Sequence, residues 1–281
     1  EAKYGNVDLN GLIGIPAEKA EGYWKAAKAA AEKIINSGKY ALYTAKTDKA
    51  ENFQYLFLDE SSANKEQIFT KAFDTSNKGG TFDYFNAPQS FKLDYGCVTN
   101  PTEDFVAEFE YKDGSDGALK VNDASGNPIK YADPTDLFKD KDPRMLGSIL
   151  YPFSPWQGDR VEVRKGIIKP DGTIVTASSL SDKYEGTNTT IAAKDGTLTS
   201  TDVTKTGFYI KKFMTPNKVV DYEKGETNWM VFRYAEVLLN YAEACVELGD
   251  DAEALRAVNL IRERAGIAPR TSINRDQVRH E

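Results

Sequence analysis

The fold follows from one passage, FRYAEVLLNYAEACVELGDDAEALRAVNLIRERAGI, which occupies residues 232–267. Apolar side chains recur along it on a 3.6-residue period, with charged and amide side chains on the opposite face. This pattern predicts two amphipathic helices. Gly249 supplies the left-handed residue that ends the first helix, Asp250 or Asp251 caps the second, and Gly266 ends the second. Because the link between them is so short, we expect the two helices to be antiparallel.

The helix pair fits a tetratricopeptide repeat, whose period is about 34 residues. Small Ala242 and Ala254 stand where close helix contact requires them, whereas Ile261 replaces the alanine that the repeat usually has. One repeat cannot bury its own apolar face, so the pair must stack on other helices. A further amphipathic helix is predicted at residues 17–36, because a proline gives a start signal before it and a glycine gives a stop signal after it. These features favour a mostly α, tetratricopeptide-like scaffold.

Residues 118–213 differ from this scaffold because short β-type runs alternate with turns. Runs at 161–168 and 173–177 flank one Asp-Gly turn, and runs at 189–193 and 197–201 flank another. Such runs on either side of an Asp-Gly pair are typical of β-hairpins. We therefore predict that the region is an insertion of loops and hairpins.

Composition excludes several classes of function. The formal net charge is −7, which argues against a nucleic-acid partner. The single histidine, His280, is too little for Ser-His or Cys-His nucleophilic catalysis, and two cysteines form no disulfide framework. No phosphate-binding glycine motif or zinc-ligand cluster is present, so no cofactor and no metal is predicted. A pair of glycosidase carboxylates is compatible with 43 acidic residues, but the sequence does not locate one.

The chain also lacks an apolar run of membrane-spanning length, a signal peptide and an initiator methionine. These absences leave two origins open, a fragment of a cytosolic protein or a processed segment of an exported one. The first helix has no preceding partner, and a helix started by Asn274 and Gln277 is cut short. We therefore expect residues 1–281 to be one domain segment, truncated at both ends.

The words NWMVFRYAEVLLNYAEACVELG and AEALRAVNLIRERAGI resemble the C-terminal half of the SusD/RagB family of outer-membrane nutrient-binding lipoproteins. The passages YWKAAKAAAEKIINSGKYALY, at residues 23–43, and Asp142-Pro143-Arg144 are similar to that family as well. The resemblance implies a SusD-like segment whose repeat-like helices are residues 17–36 and 232–266. It also implies a non-enzymatic protein on the cell surface, held in the outer membrane by a lipid anchor outside this segment.

Within that resemblance, the expected ligand is a glycan, which the protein passes to a TonB-dependent (SusC-like) outer-membrane transporter that it covers as a lid. The family also contains peptide binders, so a peptide is the main alternative ligand. A soluble tetratricopeptide adapter for protein complexes is the other alternative. A lipid-modified cysteine and a neighbouring transporter gene favour nutrient capture, whereas a cytosolic start favours the adapter.

Aromatic loops are the predicted ligand site. Sugar rings stack on tyrosine and tryptophan, and their hydroxyls bind amide and carboxylate groups in partly wet sites. Two loops, residues 82–95 and 151–156, carry aromatic residues without a helical or strand period, whereas Trp24 and Trp229 are expected to pack against helices. The predicted site consists of Tyr84, Phe85, Asn86, Gln89, Tyr95, Tyr151 and Trp156.

Overall fold

The computed structural model describes residues 16–198 and 201–281. The chain divides into two compact units. The first contains the described residues up to 44 together with 61–70 and 230–281, and the second contains 45–60 and 71–229. The described residues are rich in helix, and the strands among them form small two-stranded sheets. Of the helices in the described residues, none is both long and apolar enough to cross a membrane.

The helices are α1 (Ala17–Asn36), α2 (Lys49–Leu56), α3 (Phe82–Asn86), α4 (Glu103–Glu108), α5 (Pro143–Ser148), α6 (Tyr234–Glu247), α7 (Asp251–Ala265) and α8 (Arg275–His280). The strands are β1 (Gln67–Lys71), β2 (Ile149–Leu150), β3 (Pro155–Trp156), β4 (Asp159–Arg160), β5 (Gly166–Ile168), β6 (Ile174–Thr176), β7 (Tyr209–Ile210) and β8 (Trp229–Arg233). Short 3-10 turns occur at Gln89–Phe91 and Asp136–Phe138. The predicted combination of a helical scaffold and small hairpins is therefore confirmed.

The first unit is built on α6 and α7, which pack against each other, while α1 and α8 pack against α6. Ala242 and Ala254 are fully buried in their common core, as close helix contact requires. Gly249 and Gly266 have φ angles of 75° and 77°, which confirms them as the left-handed residues after α6 and α7. Asp250 precedes α7 but makes no side-chain cap, because its carboxylate binds Lys28 Nζ at 2.6 Å.

Helix α6 begins two residues later than the sequence pattern predicts. Residues 232 and 233 belong to β8, which pairs with β1. The change from strand to helix occurs beside Glu66, which is fully buried. Its carboxylate accepts hydrogen bonds of 2.7 Å from the Tyr43 backbone N–H, Arg233 Nη1 and Arg264 Nη1. One buried carboxylate thus ties the end of β8 to α7 and to the segment after α1.

The second unit contains α2 to α5 and three small antiparallel sheets, β2 with β7, β3 with β4, and β5 with β6. The first predicted hairpin is confirmed, since β5 and β6 pair around Gly172, whose φ is 85°. The second prediction is wrong within the described residues, because residues 189–193 form no strand. Asp195 of its expected turn is buried and accepts hydrogen bonds from the Ser90 and Glu162 backbone N–H groups. Residues 199–200 of that prediction lie outside the described residues.

Candidate functional site

Four aromatic rings of the second unit, Tyr84, Phe85, Tyr95 and Tyr222, form what we term the tyrosine cluster. The Tyr84 ring lies at the centre, with its centroid 6.1 Å from that of Tyr95 and 5.4 Å from that of Tyr222. Tyr84 is buried, whereas Tyr95 is 59% and Tyr222 is 49% exposed. A buried ring therefore supports two tyrosines that each offer about half of their surface to solvent or more.

The backbone around the cluster is fixed by Asn86, the last residue of α3. Its side-chain amide donates to the Phe82 carbonyl at 2.8 Å and its Oδ1 accepts from the Thr99 backbone N–H at 3.0 Å. The Val98 backbone N–H also donates to the Phe85 carbonyl at 2.9 Å. These bonds hold the loop that carries Tyr95 against α3. Asn86 is itself buried, so its role in the structure is to support the cluster.

Two carboxylates accompany the tyrosine cluster. The Tyr84 hydroxyl lies 3.5 Å from Asp94 Oδ2, and Asp221 directly precedes Tyr222. Burial of the ring, together with the negative charges of Asp94 and Asp221, raises the pKa of the Tyr84 hydroxyl. The phenol is therefore neutral at physiological pH. The surface combines exposed aromatic rings with acceptors for hydroxyl groups.

The predicted loop of residues 151–156 does not contribute exposed rings. Trp156 is only 3% exposed and packs in a core with residues such as Phe91 and Tyr209. It lies in β3, which pairs antiparallel with β4. The tight turn between the two strands has Gln157 and Gly158 at positive φ, so the chain reverses direction directly after Trp156. The Tyr151 ring packs 4.5 Å from the Phe138 ring, and burial raises the pKa of its hydroxyl. The expectation of an accessible ring is therefore corrected for Trp156, whereas Tyr151 is half-buried.

Gln89 is half-buried in the 3-10 turn after α3. Its Oε1 is buried without a hydrogen-bond partner among the described residues. Of the predicted residues, the structure thus brings Tyr84, Phe85 and Tyr95 together, with Asn86 behind them. Tyr222 completes the cluster but is not predicted, because it lies far along the chain in a polar segment without a period.

A second aromatic surface, which we term the Trp229 cleft, lies in the same unit between residues 71–83 and 213–229. It encloses about 360 Å³. The Trp229 ring stacks on Phe213 at 4.2 Å with an interplanar angle of 16°, and Phe82 meets it edge-on at 5.4 Å. Trp229 therefore packs as predicted, but against these rings at the start of a strand, and it remains 40% exposed. It begins β8, where strand alternation buries Met230 and leaves Trp229 and Val231 outside.

The comparisons with known proteins agree with this architecture. The model of the SusD family, SusD_RagB, matches residues 65–281. A crystal structure of a SusD-like protein from Bacteroides fragilis is similar with a TM-score of 0.65 and 23% identity, over 99% of this chain and 52% of that one. A SusD-like carbohydrate-binding protein from the same organism has a TM-score of 0.64 and 26% identity, over 92% of this chain and 45% of that one.

A third solved structure, described as being with a xylogluco-oligosaccharide, has a TM-score of 0.53 and 19% identity, over 93% of this chain and 42% of that one. No curated protein sequence matches the chain. The chain spans about half the length of these solved structures. The family match covers most of the chain and includes both helices of the RYAEVLL passage. On this evidence, the chain belongs to the SusD family.

Proposed function

We propose that this chain is the part of a non-catalytic cell-surface protein that binds a glycan through the tyrosine cluster. The observation that carries the proposal is the pair of exposed rings, Tyr95 and Tyr222, held by the buried Tyr84. Sugar rings present apolar C–H faces to such aromatic surfaces, and Asp94 and Asp221 can accept hydrogen bonds from hydroxyls. The carbohydrate-binding SusD-like structure and the one with a xylogluco-oligosaccharide support a glycan as the ligand.

The family supports a fuller account of the whole protein. In this proposal the helices of the first unit are tetratricopeptide-like scaffold, and the full-length protein is an outer-membrane lipoprotein whose anchor lies outside residues 1–281. It holds the glycan over a SusC-like, TonB-dependent transporter. Co-purification of the full-length protein with its neighbouring transporter tests the partner, and a full-length protein that stays in the cytosol would contradict the location.

Isothermal titration calorimetry of this chain tests glycan binding. The ligands are xylogluco-oligosaccharides, other neutral oligosaccharides and a panel of peptides, the last because peptide binding is the alternative. We expect Tyr95→Ala and Tyr222→Ala each to weaken glycan binding by about 1–3 kcal/mol, by analogy with base stacking on aromatic rings. Because both side chains are largely exposed, the melting temperature should change little.

The matched control is Tyr23→Ala, which removes an equally exposed tyrosine from α1 in the other unit. This variant should bind as the wild type does. Equal affinities of all three variants and the wild type would show that the tyrosine cluster is not the glycan site. If peptides bind and no oligosaccharide does, the ligand is a peptide, as in the alternative proposal.

A further inference from the structure

We propose that the Trp229 cleft is a second sugar-binding subsite and that it takes a sugar unit bearing a carboxylate, such as a uronic acid. The inference rests on the proposed function, since it presumes that the protein binds glycans. It concerns a different surface from the tyrosine cluster. Three features of the cleft carry it, namely its aromatic wall, its floor and its charges.

The aromatic wall is rigid and partly open. Phe213 is buried and stacks on one face of Trp229. Trp229 is 40% exposed, and its exposed surface lies away from Phe213. Phe82 contacts the same indole edge-on, with an interplanar angle of 61°. An indole held between two rings loses little conformational freedom when a ligand binds. Its free surface is suited to the apolar face of a sugar ring.

The floor is made of main chain. Gly80 and Gly225 exchange two backbone hydrogen bonds of 2.7 Å and 3.0 Å. A Cβ on neighbouring Gly79 would lie 1.9 Å from the Glu223 carbonyl oxygen, so the two segments approach this closely only because glycine is present. The resulting cavity of about 360 Å³ is at the lower end of the ~300–1,000 Å³ typical of small-molecule sites. That size suits a single sugar unit or the end of a longer chain.

The charges favour an anionic ligand. Lys71 and Lys78 line the cleft, and neither forms an ion pair with any residue that the structure describes. Lys71 Nζ instead lies 5.1 Å from the centroid of the Phe73 ring. Two free ammonium groups at one cavity are notable in a chain whose net charge is −7. Ammonium groups bind carboxylates through charge-assisted hydrogen bonds.

Of the two acidic residues that line the cleft, Glu223 is exposed and Asp83 is buried. Asp83 is buried, and its Oδ1 accepts a 2.6 Å hydrogen bond from the Thr215 backbone N–H. Burial raises the pKa of the Asp83 carboxyl. Lys71, Lys78 and Glu223 are exposed, so a ligand in the cleft meets two lysines and one carboxylate.

The test is calorimetry of this chain with oligogalacturonate and with neutral oligosaccharides of the same length, at low and moderate salt. We expect the Lys71→Gln/Lys78→Gln variant to bind oligogalacturonate about tenfold more weakly, since it loses charge-assisted hydrogen bonds from the ammonium groups to the carboxylate. Neutral oligosaccharides should bind this variant as they bind the wild type. Trp229→Ala should also weaken oligogalacturonate binding, with the melting temperature as a check on folding.

The matched control is Lys130→Gln/Lys139→Gln, which removes the same charge from exposed positions outside the cleft and should leave both affinities unchanged. Equal oligogalacturonate affinities for the two double variants would overturn the proposal. So would the absence of oligogalacturonate binding to the wild type. Suppose that neutral oligosaccharides bind in a Tyr222-dependent way, but that oligogalacturonate binding does not depend on Lys71 and Lys78. That result would overturn the proposal for the cleft and leave the tyrosine cluster as the glycan site. If oligogalacturonate binding depends on the two lysines and no ligand depends on Tyr222, the cleft remains a sugar site and the tyrosine cluster does not.

Discussion

Glu66 is the most consequential single residue of the first unit, because a fully buried carboxylate there has two arginine partners. Glu66→Gln keeps the size of the side chain but leaves the guanidinium groups of Arg233 and Arg264 facing a neutral amide. Breaking a buried ion pair on one side typically costs ~3–5 kcal/mol. We expect the free energy of unfolding to fall by about that amount, as measured by urea denaturation.

An exposed ion pair provides the control. Glu253 binds Arg256 at 2.8 Å, but the two side chains are 41% and 49% exposed. Glu253→Gln should cost much less than Glu66→Gln, because water screens the exposed pair and can replace it. If Glu66→Gln cost no more than Glu253→Gln, the buried cluster would not be holding β8 and α7 together.

Lys211 makes the stability of the second unit dependent on pH. Its Nζ donates to the Leu146 carbonyl at 3.0 Å, and burial lowers its pKa to about 8. In the unfolded chain the pKa is about 10.4, so between these values the unfolded state binds more protons than the folded state. The free energy of unfolding should therefore rise with pH from about 8 to about 10, by up to about 3 kcal/mol.

Urea denaturation of the wild type and of Lys211→Met at pH 7, 8.5 and 10 measures this contribution. Because the variant has no ammonium group at this position, the wild type should gain stability relative to it as the pH rises. A difference between the two proteins that stays constant with pH would show that Lys211 keeps an ordinary pKa.

Among the secondary-structure elements, the β3–β4 hairpin provides a direct test of whether Trp156 belongs to the core. Trp156→Ala leaves a cavity beside residues such as Leu150, Val161 and Met214. Large-to-small substitutions of a buried tryptophan cost ~3–5 kcal/mol. We expect that loss of stability by urea denaturation, with unchanged glycan affinity below the unfolding transition. Weaker glycan binding at unchanged stability would return Trp156 to the ligand site.

Helices with a strong period could be predicted from the sequence, and loops could not. The positions of α1, α6 and α7 follow from local spacing together with end signals such as Gly249 and Gly266. Residues 82–95 have no period and are predicted to be a loop, yet they contain α3. Its fixing bonds come from Thr99 and, through Asp83, from Thr215. Partners so far along the chain leave no local pattern.

The same reasoning explains the tryptophans. Trp156 is buried by Tyr209 and Met214, and Trp229 is supported by Phe82 and Phe213, so in each case distant segments decide the exposure. The aromatic character of the surface near α3 could be predicted from the sequence, since aromatic residues there do form an exposed cluster. Which rings belong to it depended on contacts such as that of Tyr84 with Tyr222.

For the whole molecule, a ligand that binds only the folded chain must raise its stability. At a free glycan concentration 100 times the Kd, the gain is about 2.7 kcal/mol. For a chain of this size we expect the melting temperature to rise by about 4–5 °C in differential scanning calorimetry. At the same concentration Tyr222→Ala should show a smaller rise and Tyr23→Ala the full one. An undiminished rise for Tyr222→Ala would place the glycan elsewhere.

The main-chain floor of the Trp229 cleft and the side chains that line it are supplied by different residues. Gly80 and Gly225 set the depth through main-chain bonds, which do not depend on neighbouring side chains. The rim positions Lys78 and Thr227 lie on different segments and can be exchanged without altering that floor. Variants that keep the glycines and change Lys78 or Thr227 would therefore test whether the ligand preference of the cleft can change while its main-chain floor stays the same.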